Sequence, residues 1–127
     1  MANDPMAIVS VTSVNLGPGA VMHTILTTGP ADYDATGGSV FDLSSYVTAI
    51  KFIGAGACTI KGHNLVIPRY VSANFATGAA TGAVYFTWDG ANDGGVQAAR
   101  VLENVADTTD LHLYSFQWVV IGTPPTR

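Results

Sequence analysis

Hydrophobic and polar side chains alternate for longer over residues 110–122, DLHLYSFQWVVIG, than anywhere else in the chain. Alternation in period two marks a strand, because successive side chains point to opposite faces of a sheet. The even positions His112, Tyr114, Phe116, Trp118 and Val120 form one broad aromatic face. The odd positions begin and end apolar around a polar middle of Ser115 and Gln117, so neither face reads as fully wetted. A strand covered on both sides is expected at the centre of a sheet, or in a sheet with an oligomer partner against its second face. At roughly 3.3 Å per residue it extends about 40 Å.

The same pattern predicts strands over residues 6–13 and 20–28, with a corner at Leu16-Gly17-Pro18-Gly19 between them. Further strands are predicted over 40–43, 46–54, 57–61, 64–71 and 83–88. Pro68 removes a ladder donor, so its strand belongs at an edge or a bulge, where Arg69 helps to blunt it. Residues 96–105, VQAARVLENV, fit a helix in part, with Asp93 as a cap, but the two preceding glycines and the valines favour a strand. Turn formers crowd 29–39, 72–82 and 89–95. Roughly eight or nine strands, long loops and at most one helix describe an all-β, single-domain β-sandwich of jelly-roll-like type. Its ends, 1–6 and 123–127, are expected to be short and flexible.

Composition changes this picture in one respect. The 127 residues suit one domain, and 48% are hydrophobic while only 11% are charged, against roughly 25% in ordinary soluble proteins. A surface so poor in charge is expected to be covered in part by another subunit or partner. The net charge is -4, and the five basic residues Lys51, Lys61, Arg69, Arg100 and Arg127 are scattered, so no nucleic-acid partner is expected. The single Cys58 has no internal partner and reads as a small buried hydrophobe. The N-terminal residues lack the pattern of a secretory signal, and no apolar run approaches the roughly 18 residues of a membrane helix. Synthesis in the cytoplasm and no membrane partner are the expectation.

Motifs for catalysis are missing. There is no Gly-x-Ser-x-Gly elbow and no phosphate-binding loop, and Gly54-Ala55-Gly56 lacks the third glycine of a dinucleotide site. His23, His63 and His112 sit on separate segments with no ligand spacing, and His23 reads as a satisfied core or interface histidine. Asp32 and Asp34 around Tyr33, and DGANDGG over 89–95, raise the question of calcium. No ligand ladder follows the first, and in the second Ala91 stands where a ligand is needed and no glutamate closes the loop. Asx-turn and glycine-turn chemistry explain both better. Asp42, Glu103 and Asp110 are the acids in or beside strands. Catalytic residues, cofactors and metals are therefore assigned to none.

The loop YDATGG (33–38) leads into FDLS (41–44) and then an apolar strand closing at Ile53-Gly54. Much later ADTTDL (106–111) precedes a strand closing at Val120-Ile121-Gly122. In this order residues 20–122 resemble the capsid decoration, or cement, proteins of tailed bacteriophages, in which a "Thr-Gly-Gly, Asp-Leu-Ser" segment and a final "Asp-Leu-Ser, strand, Ile-Gly" segment recur. Here Thr109-Asp110-Leu111-His112 replaces the final Asp-Leu-Ser. The resemblance implies a jelly-roll-like homotrimer on the outer capsid surface, bridging major capsid protein subunits, without catalytic residues. It places the chain in the virion, with Tyr33, His112, Tyr114, Phe116 and Trp118 as the candidate interface and the two ends reaching onto neighbours. The alternative is a tail or receptor-binding β-sandwich that recognises a glycan by stacking on Trp88 or Tyr33. A small hydrolase is the third reading.

Overall fold

A computed structural model describes residues 5–56, 58–60, 63–72, 77–88 and 103–125. Among them nine strands form two antiparallel sheets packed face to face as a β-sandwich, with no residue in a helix. Among the described residues no helix is long and apolar enough to cross a membrane. The first sheet has the order β1 (Ala7–Gly17), β2 (Ala20–Thr28), β9 (Ser115–Thr123), β4 (Ala49–Ala55). The second runs β3 (Ser39–Asp42), β7 (Thr81–Trp88), β6 (His63–Ser72), β5 (Cys58–Ile60), with β8 (Glu103–Asn104) also on β7.

The β1–β2 hairpin turns on Gly17 and Gly19, whose φ values of 126° and 78° are readily reached by glycine alone. β9 is central in its sheet, as the alternation requires, but it is shorter than residues 110–122. Residues 110–114 lie outside the sheet as a turn, in which Asp110 Oδ1 accepts the His112 N–H at 3.0 Å and the Leu111 carbonyl accepts the Tyr114 N–H at 3.0 Å. The aspartate side chain here competes successfully with the ladder. The parity breaks with it, since Leu111 is buried while Leu113 is 70% exposed.

From Ser115 onwards the inner face of β9 presents Phe116, Trp118 and Val120 to the second sheet. The Trp118 ring lies 5.0 Å from Phe41 of β3, and Phe116 lies 5.3 Å from Phe86 of β7. The indole N–H donates to Thr27 Oγ1 at 3.0 Å inside the core. This satisfies a donor whose unpaired burial would cost about 1–3 kcal/mol.

Several expected boundaries shift for local reasons. The strand expected from residue 46 begins at Ala49, because the Leu43 carbonyl first accepts the N–H groups of Tyr46 and Val47 at 2.9 and 3.0 Å. That turn drives Leu43 and Val47 into the core. Pro68 pairs with Phe86, whose own N–H and carbonyl point the other way, to Tyr33 and Val105. Opposed residues of an antiparallel pair share one bonding state. Pro68 therefore sits in a non-bonded pair, and its missing N–H faces the side where pairing with β5 has ended at Val66. The strand that carries Pro68 is therefore neither an edge nor bulged, contrary to expectation, and the proline is tolerated because β5 does not reach it. Of residues 96–105 only 103–105 are described, and Glu103–Asn104 is strand; the 89–95 loop and the Cys58 side chain lie outside the described residues.

Of the ends expected to be flexible, two described residues are held in the fold. Met6 is buried and its N–H donates to the Val40 carbonyl at 2.9 Å, while Thr123 pairs with Ala49 and accepts the Thr48 N–H at 2.9 Å. Both residues belong to the sandwich.

Candidate assembly surface

The five candidate interface residues do not form a surface. Phe116 and Trp118 are 1% exposed, Tyr33 2% and Tyr114 6%. The cover that the aromatic face of β9 needs comes from the chain's own second sheet. His112 alone is exposed, with Nδ1 2.6 Å from Asp110 Oδ1. The His112 backbone N–H, and then its ring, hold the Asp110 carboxyl below the usual carboxylate range.

Tyr33 is a buried strut rather than a stacking platform. Its hydroxyl accepts the Phe86 N–H at 3.0 Å, and its ring stands edge-on to Phe86 at 5.2 Å. The hydroxyl occupies the edge of β7 between the pairing segments of β3 and β8, where a strand would otherwise satisfy that amide. Burial pushes its pKa up, partly offset by the bond from Phe86.

The backbone around Tyr33 ties two distant loops together. Tyr33 donates to the Thr109 carbonyl at 3.2 Å and accepts the Thr108 N–H at 2.7 Å, and Ala35 donates to Asp107 Oδ1 at 2.9 Å. Gly29 donates to Tyr114, and Leu111 to Pro30. The YDATGG and ADTTDL motifs are therefore the two halves of one clasp. Asp34 closes the first half as an Asx turn, with Oδ1 accepting the N–H groups of Thr36 and Gly37 at 2.9 and 3.1 Å.

Two other expectations can be placed. His23 is a satisfied core histidine on β2: Nε2 donates to the Tyr46 carbonyl at 3.2 Å, and Ser13 Oγ lies 2.7 Å from Nδ1. Trp88 is half-buried against the core. A cleft of about 400 Å³ opens on the outer side of the second sheet, lined by Tyr33, Ile67, Arg69, Tyr85, Thr87 and Asn104 among others. Arg69 lies over the Tyr85 ring at 5.5 Å. Those residues include hydroxyl, amide and guanidinium groups but no carboxylate.

The surface that distinguishes the molecule is the outer face of the first sheet. Registers place Val14, Met22, Ile121 and Phe52 side by side across all four strands. Beside them runs a second row of Thr12, Thr24, Val119 and Gly54. Val14 and Phe52 are exposed, the latter by 54%, and Met22 and Ile121 are half-buried. β1, β2 and β9 contain no charged residue, and in β4 the one charge, Lys51, is drawn to the hairpin turn, where Nζ donates to the Gly19 carbonyl at 3.2 Å. Sequence reasoning missed this face by assigning the interface to the aromatic side of β9. The signal that could have found it was the absence of charge from three strands, two of them adjacent in sequence. Comparison with protein-family models, with curated proteins and with solved structures finds no match to the chain.

Proposed function

We propose that this protein is a structural component of a bacteriophage virion, a decoration protein that binds the outer surface of the capsid and stabilises it by bridging major capsid protein subunits. The observation that carries the reading is the outer face of the β1-β2-β9-β4 sheet, whose one charged residue, Lys51, is drawn to the hairpin turn and leaves the apolar row free of charge. A protein working free in solution keeps charge on such a face, because neutral apolar surface promotes association. A protein that functions once packed against others gains from leaving it neutral. Many weak contacts, repeated around a lattice, then add through multivalency. The clasp joining the two motifs of the family resemblance supports the same reading, since those motifs come together as one feature of the fold. The role is mechanical and involves no catalytic step.

Burial of Tyr33 removes one of the two stacking platforms that the glycan-binding alternative named, and Trp88, the other, is half-buried.

The test is quantitative protein analysis of purified particles from the source phage, scoring this chain against the major capsid protein. A fixed ratio near unity, or a simple fraction of it, is expected. A few copies per particle would move the protein to the tail, and absence from particles would end the structural reading.

A further inference from the structure

The strand edges of this sandwich are not treated alike. β3 has four residues, and Met6 donates to its Val40 carbonyl. β5 has three residues, and β6 beyond it carries Pro68 and Arg69. β4 carries Lys51, and its start is covered by Gly78 and Ala79 through an Ile50 to Gly78 bond of 2.7 Å and a bridge at Ala49. Short strands, prolines, charges and covering segments are the devices that keep sheet edges from pairing with other chains.

β1 has none of these, and its bulges, which also blunt edges, are confined to its two ends. It is eleven residues long, AIVSVTSVNLG, without charge or proline, and among the described residues its far edge has no backbone partner. Register shifts fall at its two ends, between Ile8 and Ser10 and between Asn15 and Gly17. The six residues from Ser10 to Asn15 between them keep unbroken register with β2. Alternate residues of this segment direct their N–H and carbonyl groups away from β2, ready for another strand.

We propose that this edge pairs antiparallel with the same edge of a second copy, about a two-fold axis at Thr12, which then stands opposite Thr12 of that copy. A two-fold perpendicular to the sheet reverses strand direction and keeps each face on its own side. The two four-stranded sheets become one of eight strands, and the two outer faces become one continuous surface. The inference rests on the structural reading above only in that this doubled face is the face proposed to meet the capsid. A second copy fits better than an unrelated strand for two reasons. The spacing of donors and acceptors is self-complementary under the two-fold, and no like charges meet across it. Val11, Thr12 and Val14 are also the β-branched residues that cross-strand pairs favour. A two-fold pair differs from the trimer that the family resemblance implies.

Sedimentation equilibrium of the full chain, from micromolar to millimolar concentration, tests the pairing. The expected result is a mass that rises towards twice the 13.2 kDa of the chain. Thr12→Lys places like charges at the axis, on an exposed side chain that the fold does not need. It is expected to weaken the pair about tenfold or more, with an unchanged melting curve for the monomer. Thr12→Cys is expected to cross-link under mild oxidation, where the parent, with Cys58 alone, does not. A parent that stays monomeric at millimolar concentration, a three-fold mass, or association untouched by Thr12→Lys would overturn the proposal. A chain that pairs yet is missing from particles sinks the virion role alone, and one bound to particles as a monomer sinks the pairing alone.

Discussion

Tyr33 illustrates how one side chain can replace a strand. Its hydroxyl is the acceptor for the Phe86 N–H at a point where neither β3 nor β8 reaches. Tyr33→Phe keeps the ring and removes the acceptor, so it is expected to destabilise the fold by about 1–3 kcal/mol in chemical denaturation. An unchanged midpoint would mean that the amide finds another acceptor. Tyr70 and Asp42 give stability opposite dependences on pH. Burial, and then the charge of Asp42, push the Tyr70 hydroxyl up to about 12. A folded value above the ordinary 10 means that its contribution is complete below about pH 10 and is lost as pH rises through about 12. The Ser44 side chain and backbone N–H hold Asp42 below its ordinary 3.8, so its contribution is complete above that value and is lost as pH falls through the lower folded one. Melting curves should therefore drop at both extremes, and Tyr70→Phe should flatten the alkaline limb alone. In the sequence Tyr33 resembles an exposed loop aromatic, because nothing local tells that β7 lacks a partner at Phe86.

Among the elements, β9 and β4 depend on close backbone approach. A Cβ added at Gly122 would fall on the Ala49 carbonyl oxygen and within 2.8 Å of Val47 Cγ1. Gly122→Ala is expected to push β4 outward at a cost of about 1–3 kcal/mol. Hydrogen exchange should then show β4 amides losing protection ahead of those of β2, and equal loss in both strands would contradict the local origin. Alternation identified β2, β7 and the second half of β9 as strands, because each lines one side of a single core. It failed over residues 110–114, where an Asx turn and the bonds of Gly29 and Leu111 to the opposite loop outcompete strand pairing. Leucine, histidine and tyrosine happened to continue the pattern there without a sheet to sustain it.

For the whole molecule, the decisive feature is one outer face with an apolar row free of charge. Phe52→Asp places a carboxylate in the apolar row, at a side chain already 54% exposed. It is expected to lower occupancy on particles severalfold while shifting fold stability by no more than about 0.5 kcal/mol. Retention on particles should also depend little on ionic strength, since the apolar row itself carries no charge to be screened and Lys51 is held at the hairpin turn. Release by salt would point to the acidic loops instead. Alternation and turn residues were sufficient to establish an all-β sandwich with a central aromatic strand, because these are properties of segments a few residues long. Which aromatic side chains meet another molecule is a property of packing. Phe116 and Trp118 looked like an interface only until β3 and β7 folded over them, and Val14, Met22, Ile121 and Phe52 became a row only when registers joined strands about a hundred residues apart in the chain.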